Sequence, residues 1–319
     1  MSQALWILIG VILIADLVLL PPFIARSRRK EMDETARVSA PGNFTTLSRG
    51  VTHYQWHGPK SAEIIVLVHG LSAPSFVFSA LIPFLTKSGF CILTYDLYGR
   101  GWSDRPRDHQ TAAFFTRQLS DLLDDQMVSK PVTILGYSMG GAIASSFALE
   151  HSDRVHKLIL LASAGFNHQT GGMTDFICRT PLIGDWLMTV FGGARLRKSA
   201  RLENAQNQNI PDIAARMAQE TRYRGYTRSI LSSLRYLLGH SFDGLHQALA
   251  TKSVSTLAIW GQEDEAIPVS SAARLSAANP AVKTVILEGA DHALAYVLPE
   301  TVAEQVLTFL DPNIPHNGA

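Results

Sequence analysis

Residues 132–151 read VTILGYSMGGAIASSFALEH, and the fold turns on where Ser138 falls in them. Val132 to Leu135 is a short, β-branched, apolar run, the pattern of a buried strand. From Gly140 onward the apolar residues Ile143, Ala144, Phe147 and Ala148 recur at helical spacing. Ser138 sits at the junction, flanked by Gly136 and Gly140 in the pattern G-x-S-x-G. A turn this sharp drives its middle residue into a costly backbone conformation, of order 1–3 kcal/mol. Glycine on each side lets strand and helix approach closely. The hydroxyl would then stand above the end of a sheet, at a helix N-terminus, as a nucleophile elbow presents it. A pentapeptide of common residues could also be a plain Gly-Ser turn, so the rest of the chain decides.

The elements around this turn alternate. VTHYQW reads as an early strand. IIVLV (Ile64 to Val68), CILTY (Cys91 to Tyr95), VTIL and LILLA (Leu158 to Ala162) are near-continuous apolar runs, as in parallel strands buried on both faces. Between them lie the helical patterns FVFSALIPFLTKSG and AAFFTRQLSDLLDDQM and the helix after Ser138. STLAIW and TVILE follow near the end, separated by SSAARLSAA, and ETVAEQVLTFL closes the series. This alternation predicts an α/β domain with a mostly parallel central sheet. From about Gly165 to Leu245 the strand rhythm stops and the chain is helical and mixed. That span is too long for a simple loop and reads as a helical cap inserted over the C-terminal edge of the sheet, where open α/β sheets bind ligands.

Composition narrows the classes. A chain of 319 residues with a formal net charge of +1 can bury a large core and carries no bias toward nucleic acid. Its two cysteines, Cys91 and Cys178, are far apart and outside any metal-ligand spacing, so a disulfide framework is not expected. No internal repeat or low-complexity tract is visible.

The N-terminus departs from this. ALWILIGVILIADLVLLPPFIA is apolar apart from Asp16, and a hydrocarbon core needs roughly 20 such residues. MSQ lacks a positive n-region and PPFIARSRRK offers no clear small-residue cleavage site, so residues 1–25 read as an uncleaved membrane anchor. Asp16 opposes this, at about 2.5–3.5 kcal/mol for a mid-bilayer carboxylate, and the surrounding Leu, Ile and Val offset it. Arg26, Arg28, Arg29 and Lys30 follow at once, which places that flank, and the domain beyond it, on the cytoplasmic side. Residues 26–43 read as a polar linker and 312–319 as a tail.

A serine nucleophile needs a general base and an acid that sets the imidazole tautomer. Among 11 histidines, His292 follows the last strand in EGADHALAYVLPE, on a loop that would hang over the strand ends near Ser138. The acid belongs between serine and histidine in chain order. WGQEDEAIP follows STLAIW and carries Glu263, Asp264 and Glu265. The layout strand-G-x-x-D-x-x-x-P, from Gly261 to Pro268, favours Asp264. Asp291 adjoins His292 and reads as a solvated turn residue. An oxyanion hole needs backbone N–H donors. The candidates are Met139, which follows the serine, and Leu71, in HGLSAPSF after the strand IIVLV. His69 reads as a packing and hydrogen-bonding residue. In YDLYGRGWSDRP, Arg100 and Asp104 read as structural, satisfying backbone groups and one another.

Taken together, HG at His69-Gly70, DLYGRGWSDRP, GYSMGG, WGQEDEAIP and GADH resemble the α/β-hydrolase superfamily, over residues 44 to 311. The chain looks most like membrane-anchored carboxylesterases and monoacylglycerol-lipase-like enzymes. The resemblance implies an α/β-hydrolase core in two parts, 44–166 and 245–311, with the helical cap at 167–244. It implies Ser138 as nucleophile, His292 as base, Asp264 as acid and the Leu71 and Met139 N–H groups as oxyanion donors, with no metal and no organic cofactor. Dehalogenases and epoxide hydrolases of this fold carry aspartate at the elbow, where this chain has serine. Carbon–carbon bond hydrolases share the serine triad and remain an alternative. Proline iminopeptidase-like enzymes also remain an alternative, though they need an acidic site for the substrate amine. The cap is rich in arginine instead (Arg195, Arg197, Arg201, Arg216, Arg222, Arg224), which suits a solvated surface, an acidic substrate or a phospholipid head group. The expected partners are therefore a small-molecule or lipid ester and a membrane. A non-catalytic membrane-associated binding protein would be favoured by loss of a triad residue, and none is missing.

Overall fold

The computed structural model describes residues 3–166, 171–203 and 207–311. Eight strands form one sheet: β1 (Asn43–Leu47), β2 (Gly50–His57), β3 (Ile64–Val68), β4 (Cys91–Tyr95), β5 (Val132–Tyr137), β6 (Val155–Leu161), β7 (Ser255–Gly261) and β8 (Lys283–Leu287). Their order is β1-β2-β4-β3-β5-β6-β7-β8. β2 runs antiparallel to β1 and β4, and the other neighbours pair in parallel. The mostly parallel sheet expected from the sequence is present. β1 has no strand pattern in the sequence. NFTTL is short and partly polar, and it pairs with the next strand through a tight hairpin, Leu47 facing Gly50.

The apolar runs are buried because both faces of the sheet are covered. Along β3, Val66 and Val68 point into a core with Phe115, Leu119, Ile143 and Phe147, from helices Ala112–Asp125 and Met139–Glu150. Ile65 and Leu67 point the other way, into a core with Leu85, Val302 and Val306, from helices Ile82–Lys87 and Pro299–Leu310. The period of two sends alternate side chains to opposite faces, so a strand apolar at every position is the form that fits. β3 lies between β4 and β5, so the chain leaves β3 toward one edge and later returns to its other side. At such a reversal the loops diverge and open a crevice at the strands' carboxyl ends.

Between β6 and β7, the described residues contain helices and no strand. They include Gly172–Arg179, Ile183–Leu187, Gly193–Glu203, Ile213–Glu220 and Tyr226–Tyr236. The ends of this insertion meet where Phe242 N–H donates to Gly165 O at 3.0 Å.

Helix Gln3–Ser27 is the one helix among the described residues long and apolar enough to cross a membrane, with a mean hydropathy of 2.6 over its most apolar window. None of its residues is buried. The stretch after it does not hang free, as a linker would. Lys30 N–H donates to Arg222 O at 2.9 Å, and Arg224 N–H to Lys30 O at 2.8 Å. Arg37 donates to Trp102 O at 2.9 Å and pairs with Asp104. Two charged side chains of this stretch have partners far along the chain, Glu31 with Arg224 and Arg37 with Asp104.

Candidate active site

Ser138 follows β5 directly and caps helix Met139–Glu150 with φ 54° and ψ −119°, a left-handed φ that side-chain-bearing residues rarely adopt. Its surroundings hold it there. Ser138 N–H donates to Leu161 O at 2.9 Å, and its carbonyl accepts from Gly141 N–H at 2.9 Å and Ala164 N–H at 3.0 Å. The flanking glycines are required by contact. A Cβ at Gly136 would run into the Gly140 carbonyl, and one at Gly140 into the Val68 carbonyl.

The loops after β7 and β8 bring the partners. His292 Nε2 lies 3.1 Å from Ser138 Oγ, and His292 Nδ1 lies 2.8 Å from Asp264 Oδ2. The Asp264 side chain is fully buried and that of His292 is 29% exposed. Asp264 Oδ1 accepts from Ala266 N–H at 2.8 Å and Ile267 N–H at 2.7 Å, so one carboxylate oxygen anchors the loop and the other faces the imidazole. Glu263 and Glu265 are both exposed, which separates them from Asp264. Asp291 is exposed and accepts Ala293 N–H at 2.8 Å. Tyr137 O–H donates to His292 O at 2.9 Å, a tie from the elbow strand to the histidine loop.

The loop after β3 crosses the serine. A Cβ on Gly70 would lie 3.2 Å from Ser138 Cβ, so the chain bearing Leu71 passes directly against it. Met139 is the first residue of its helix, where backbone N–H groups lack intrahelical acceptors. Both positions can therefore offer N–H groups beside Ser138.

Two side chains hold that loop. His69 is fully buried, and burial pulls its imidazole down to about 4, so it is neutral. Its Nε2 accepts Leu97 N–H at 2.9 Å, which leaves the Nδ1–H to donate to Gly70 O at 2.9 Å. Arg100 is also fully buried. It donates to Leu71 O at 3.0 Å, Tyr98 O at 3.0 Å and Ser233 Oγ at 2.8 Å, and to Gln110 Oε1. The expected Arg100–Asp104 pairing is absent. Asp104 instead takes Arg37 and the Val51 N–H. Arg100 finds neutral oxygens, and burial lowers its pKa to about 9. Its fixing of the Leu71 peptide was missed from sequence, because Gln110 and Ser233 give no local signal.

The helical insertion supplies an apolar wall. Met188, Tyr226, Ile230 and Leu231 form a buried cluster against which Leu71 and Leu234 pack. Tyr226 O–H donates to Ser72 O at 2.9 Å. Among the described residues no group of three His, Cys, Asp or Glu could hold a metal ion.

Comparison with known proteins follows the same lines. A family profile described as alpha/beta hydrolase fold matches residues 63–297. An uncharacterized protein of Mycobacterium tuberculosis is 25% identical over 80% of this chain and 77% of its own length. A 2-hydroxy-6-oxononadienedioate/2-hydroxy-6-oxononatrienedioate hydrolase of Cupriavidus pinatubonensis is 26% identical over 84% of this chain and 94% of its own. The solved esterase of Exiguobacterium antarcticum superposes with a TM-score of 0.69 at 21% identity, over 84% of this chain and 99% of that one. At that identity the likeness concerns the fold.

Proposed function

We propose that this chain, which belongs to the alpha/beta hydrolase family, is a serine hydrolase that cleaves carboxylic esters at a membrane surface through an acyl-enzyme. The observation that carries the reading is the continuous chain from Asp264 through His292 to Ser138 Oγ, at 2.8 and 3.1 Å. Ser138 Oγ attacks the ester carbonyl while His292 Nε2 takes its proton. The charge on the carbonyl oxygen falls to the Leu71 and Met139 N–H groups. The tetrahedral intermediate expels the alcohol, to which His292 returns the proton, leaving an acyl group on Ser138. Water, deprotonated by His292, then releases the acid and restores the hydroxyl. Asp264 holds Nδ1–H and stabilises the imidazolium. The apolar cluster beside Leu71 favours an apolar acyl group. In this reading helix Gln3–Ser27 is the anchor, and the basic flank after it favours a catalytic part on the cytoplasmic face.

A second reading, hydrolysis of a carbon–carbon bond by the same triad, is favoured by the Cupriavidus relative, whose name gives a dienedioate as its substrate. Kinetics with p-nitrophenyl esters of increasing acyl length, beside a vinylogous 1,5-diketone, separates the two. Ester turnover with kcat/KM at least 100-fold above that of the diketone is expected. A diketone preference would overturn the ester reading.

A further inference from the structure

Away from Ser138, arginines converge from four parts of the chain on one cleft of about 820 Å³. Arg26 and Arg29 come from the end of the N-terminal helix and just beyond it, and Arg49 from the β1–β2 turn. Arg105 and Arg107 come from the loop after β4, Arg224 from just before helix Tyr226–Tyr236 and Arg228 from its first turn. The carboxylates in the lining are Glu31 and Asp104.

These cations are only partly matched by carboxylates. Arg224 pairs with Glu31, Arg49 with Asp108 at 3.1 Å and Arg105 with Glu220 at 3.3 Å. Asp104 is taken by Arg37. Arg26, Arg29, Arg107 and Arg228 have no carboxylate partner among the described residues. Arg29 reaches only neutral oxygens, Thr189 O at 2.7 Å and Thr227 Oγ1 at 3.2 Å. Arg228 does the same, with Arg105 O at 2.9 Å and Pro106 O at 3.0 Å. Burial and neighbouring arginines pull the pKa of Arg29 and of Arg228 below the usual guanidinium range. One donor in the lining is left over: the buried Nε–H of Arg105 has no acceptor among the described residues. A buried donor without a partner is unfavourable. Several guanidiniums held at fixed angles match the oxygens of a phosphate better than a point charge would.

We propose that this cleft binds a phosphate group, and that the group is the phosphodiester of an anionic lipid in the leaflet the N-terminal helix enters. The assignment of the source rests on the anchor reading; the phosphate chemistry does not. The cleft is larger than one phosphate needs and has room for a glycerol beside it. Its walls include the residues through which the helix leaves the bilayer. Arg29 and Arg224 also tie that exit to the helical insertion, since Arg224 donates to Arg26 O at 3.1 Å. A bound headgroup would therefore orient the insertion, and the site beneath it, toward the bilayer.

The test uses the full chain, purified in a neutral detergent and also placed in nanodiscs. In detergent, dihexanoylphosphatidylglycerol, dihexanoylphosphatidylcholine and inorganic phosphate are titrated by calorimetry. In nanodiscs, phosphatidylcholine is compared with a mixture containing phosphatidylglycerol, and protection of the 26–32 and 222–228 amides from hydrogen exchange is read. The phosphatidylglycerol headgroup should bind at least tenfold tighter than phosphatidylcholine, with affinity falling as salt rises. Arg26→Gln with Arg107→Gln, both exposed and without a carboxylate partner among the described residues, should weaken it at least tenfold. Arg195→Gln with Arg201→Gln, outside the cleft, should leave it unchanged. Inorganic phosphate binding as tightly as the lipid headgroup, with the same variant dependence, would overturn the lipid source. No phosphate-dependent binding, or equal loss in both double variants, would overturn the site. Fluorophosphonate labelling of Ser138 in every variant reports the ester reading separately.

Discussion

Asp264→Asn tests the catalytic reading most sharply, because the structure dictates how the new amide must sit. Asp264 Oδ1 accepts two backbone N–H groups, from Ala266 and Ile267. An asparagine that turned its NH2 toward them would set donor against donor and strand two N–H groups, at about 1–3 kcal/mol each. Its carbonyl oxygen therefore stays in the Oδ1 position, and its NH2 faces His292 Nδ1. That nitrogen must then accept, so the ring proton moves to Nε2, the atom 3.1 Å from Ser138 Oγ. The imidazole meets the serine as a donor and is no longer a base. The loss should be about 10⁴-fold in kcat, equivalent to about 5 kcal/mol of transition-state stabilisation. Turnover of a short p-nitrophenyl ester and a thermal melt measure both sides: kcat collapses and the melting temperature holds. Glu263→Gln and Glu265→Gln, on exposed neighbours, should stay within about twofold of the parent. If Asp264→Asn kept kcat within tenfold at an unchanged melting temperature, the assignment of the acid would fail.

Other perturbations read different parts of the molecule. Ser138→Ala should abolish fluorophosphonate labelling and leave only about 10³–10⁴-fold catalysis over water; persistence of labelling would place the nucleophile elsewhere. Burial pushes the Glu220 carboxyl up to about 7 despite the opposing pull of Arg105. A folded value above the unfolded one means a stability contribution present below about pH 4.5 and lost as the pH rises through 7. The melting-temperature advantage of the parent over Glu220→Gln should therefore shrink from pH 5 to pH 8, and a constant difference would contradict the raised value. A chain starting at Arg28 should be soluble and labelled by fluorophosphonate. One starting at Asn43 also loses the Arg37–Asp104 pair and the Lys30 ladder, and should melt lower; equal melting temperatures would mean that 28–42 contribute nothing. The full-length chain should resist carbonate extraction, and release into the wash would remove the anchor.

Much of this was legible along the chain because it is written in local spacing. The elbow needs a strand, a serine between glycines and a helix in immediate succession, and the close approach of Gly136 and Gly140 to backbone explains why that spelling is required. Ile65 to Val68 reads as a doubly covered strand because alternate side chains enter the two cores. His292 and Asp264 were found from their places after strands, since loops at one sheet edge converge in a parallel fold. Only one loop pattern distinguishes Asp264 from Glu263 and Glu265 along the chain; in space they are separated by burial. The hairpin strand Asn43–Leu47, the anchoring of Arg29, Lys30 and Arg37 on the body, and the arginine cleft left no local pattern. Arg100 is the clearest case. Beside Asp104 in the sequence it reads as an ion pair, yet its side chain turns inward to Leu71 O and Ser233 Oγ. Sequence spacing determines which face of an element a side chain occupies; which distant group it meets there is decided only when the elements pack, because burial selects among partners that solvent would leave equivalent.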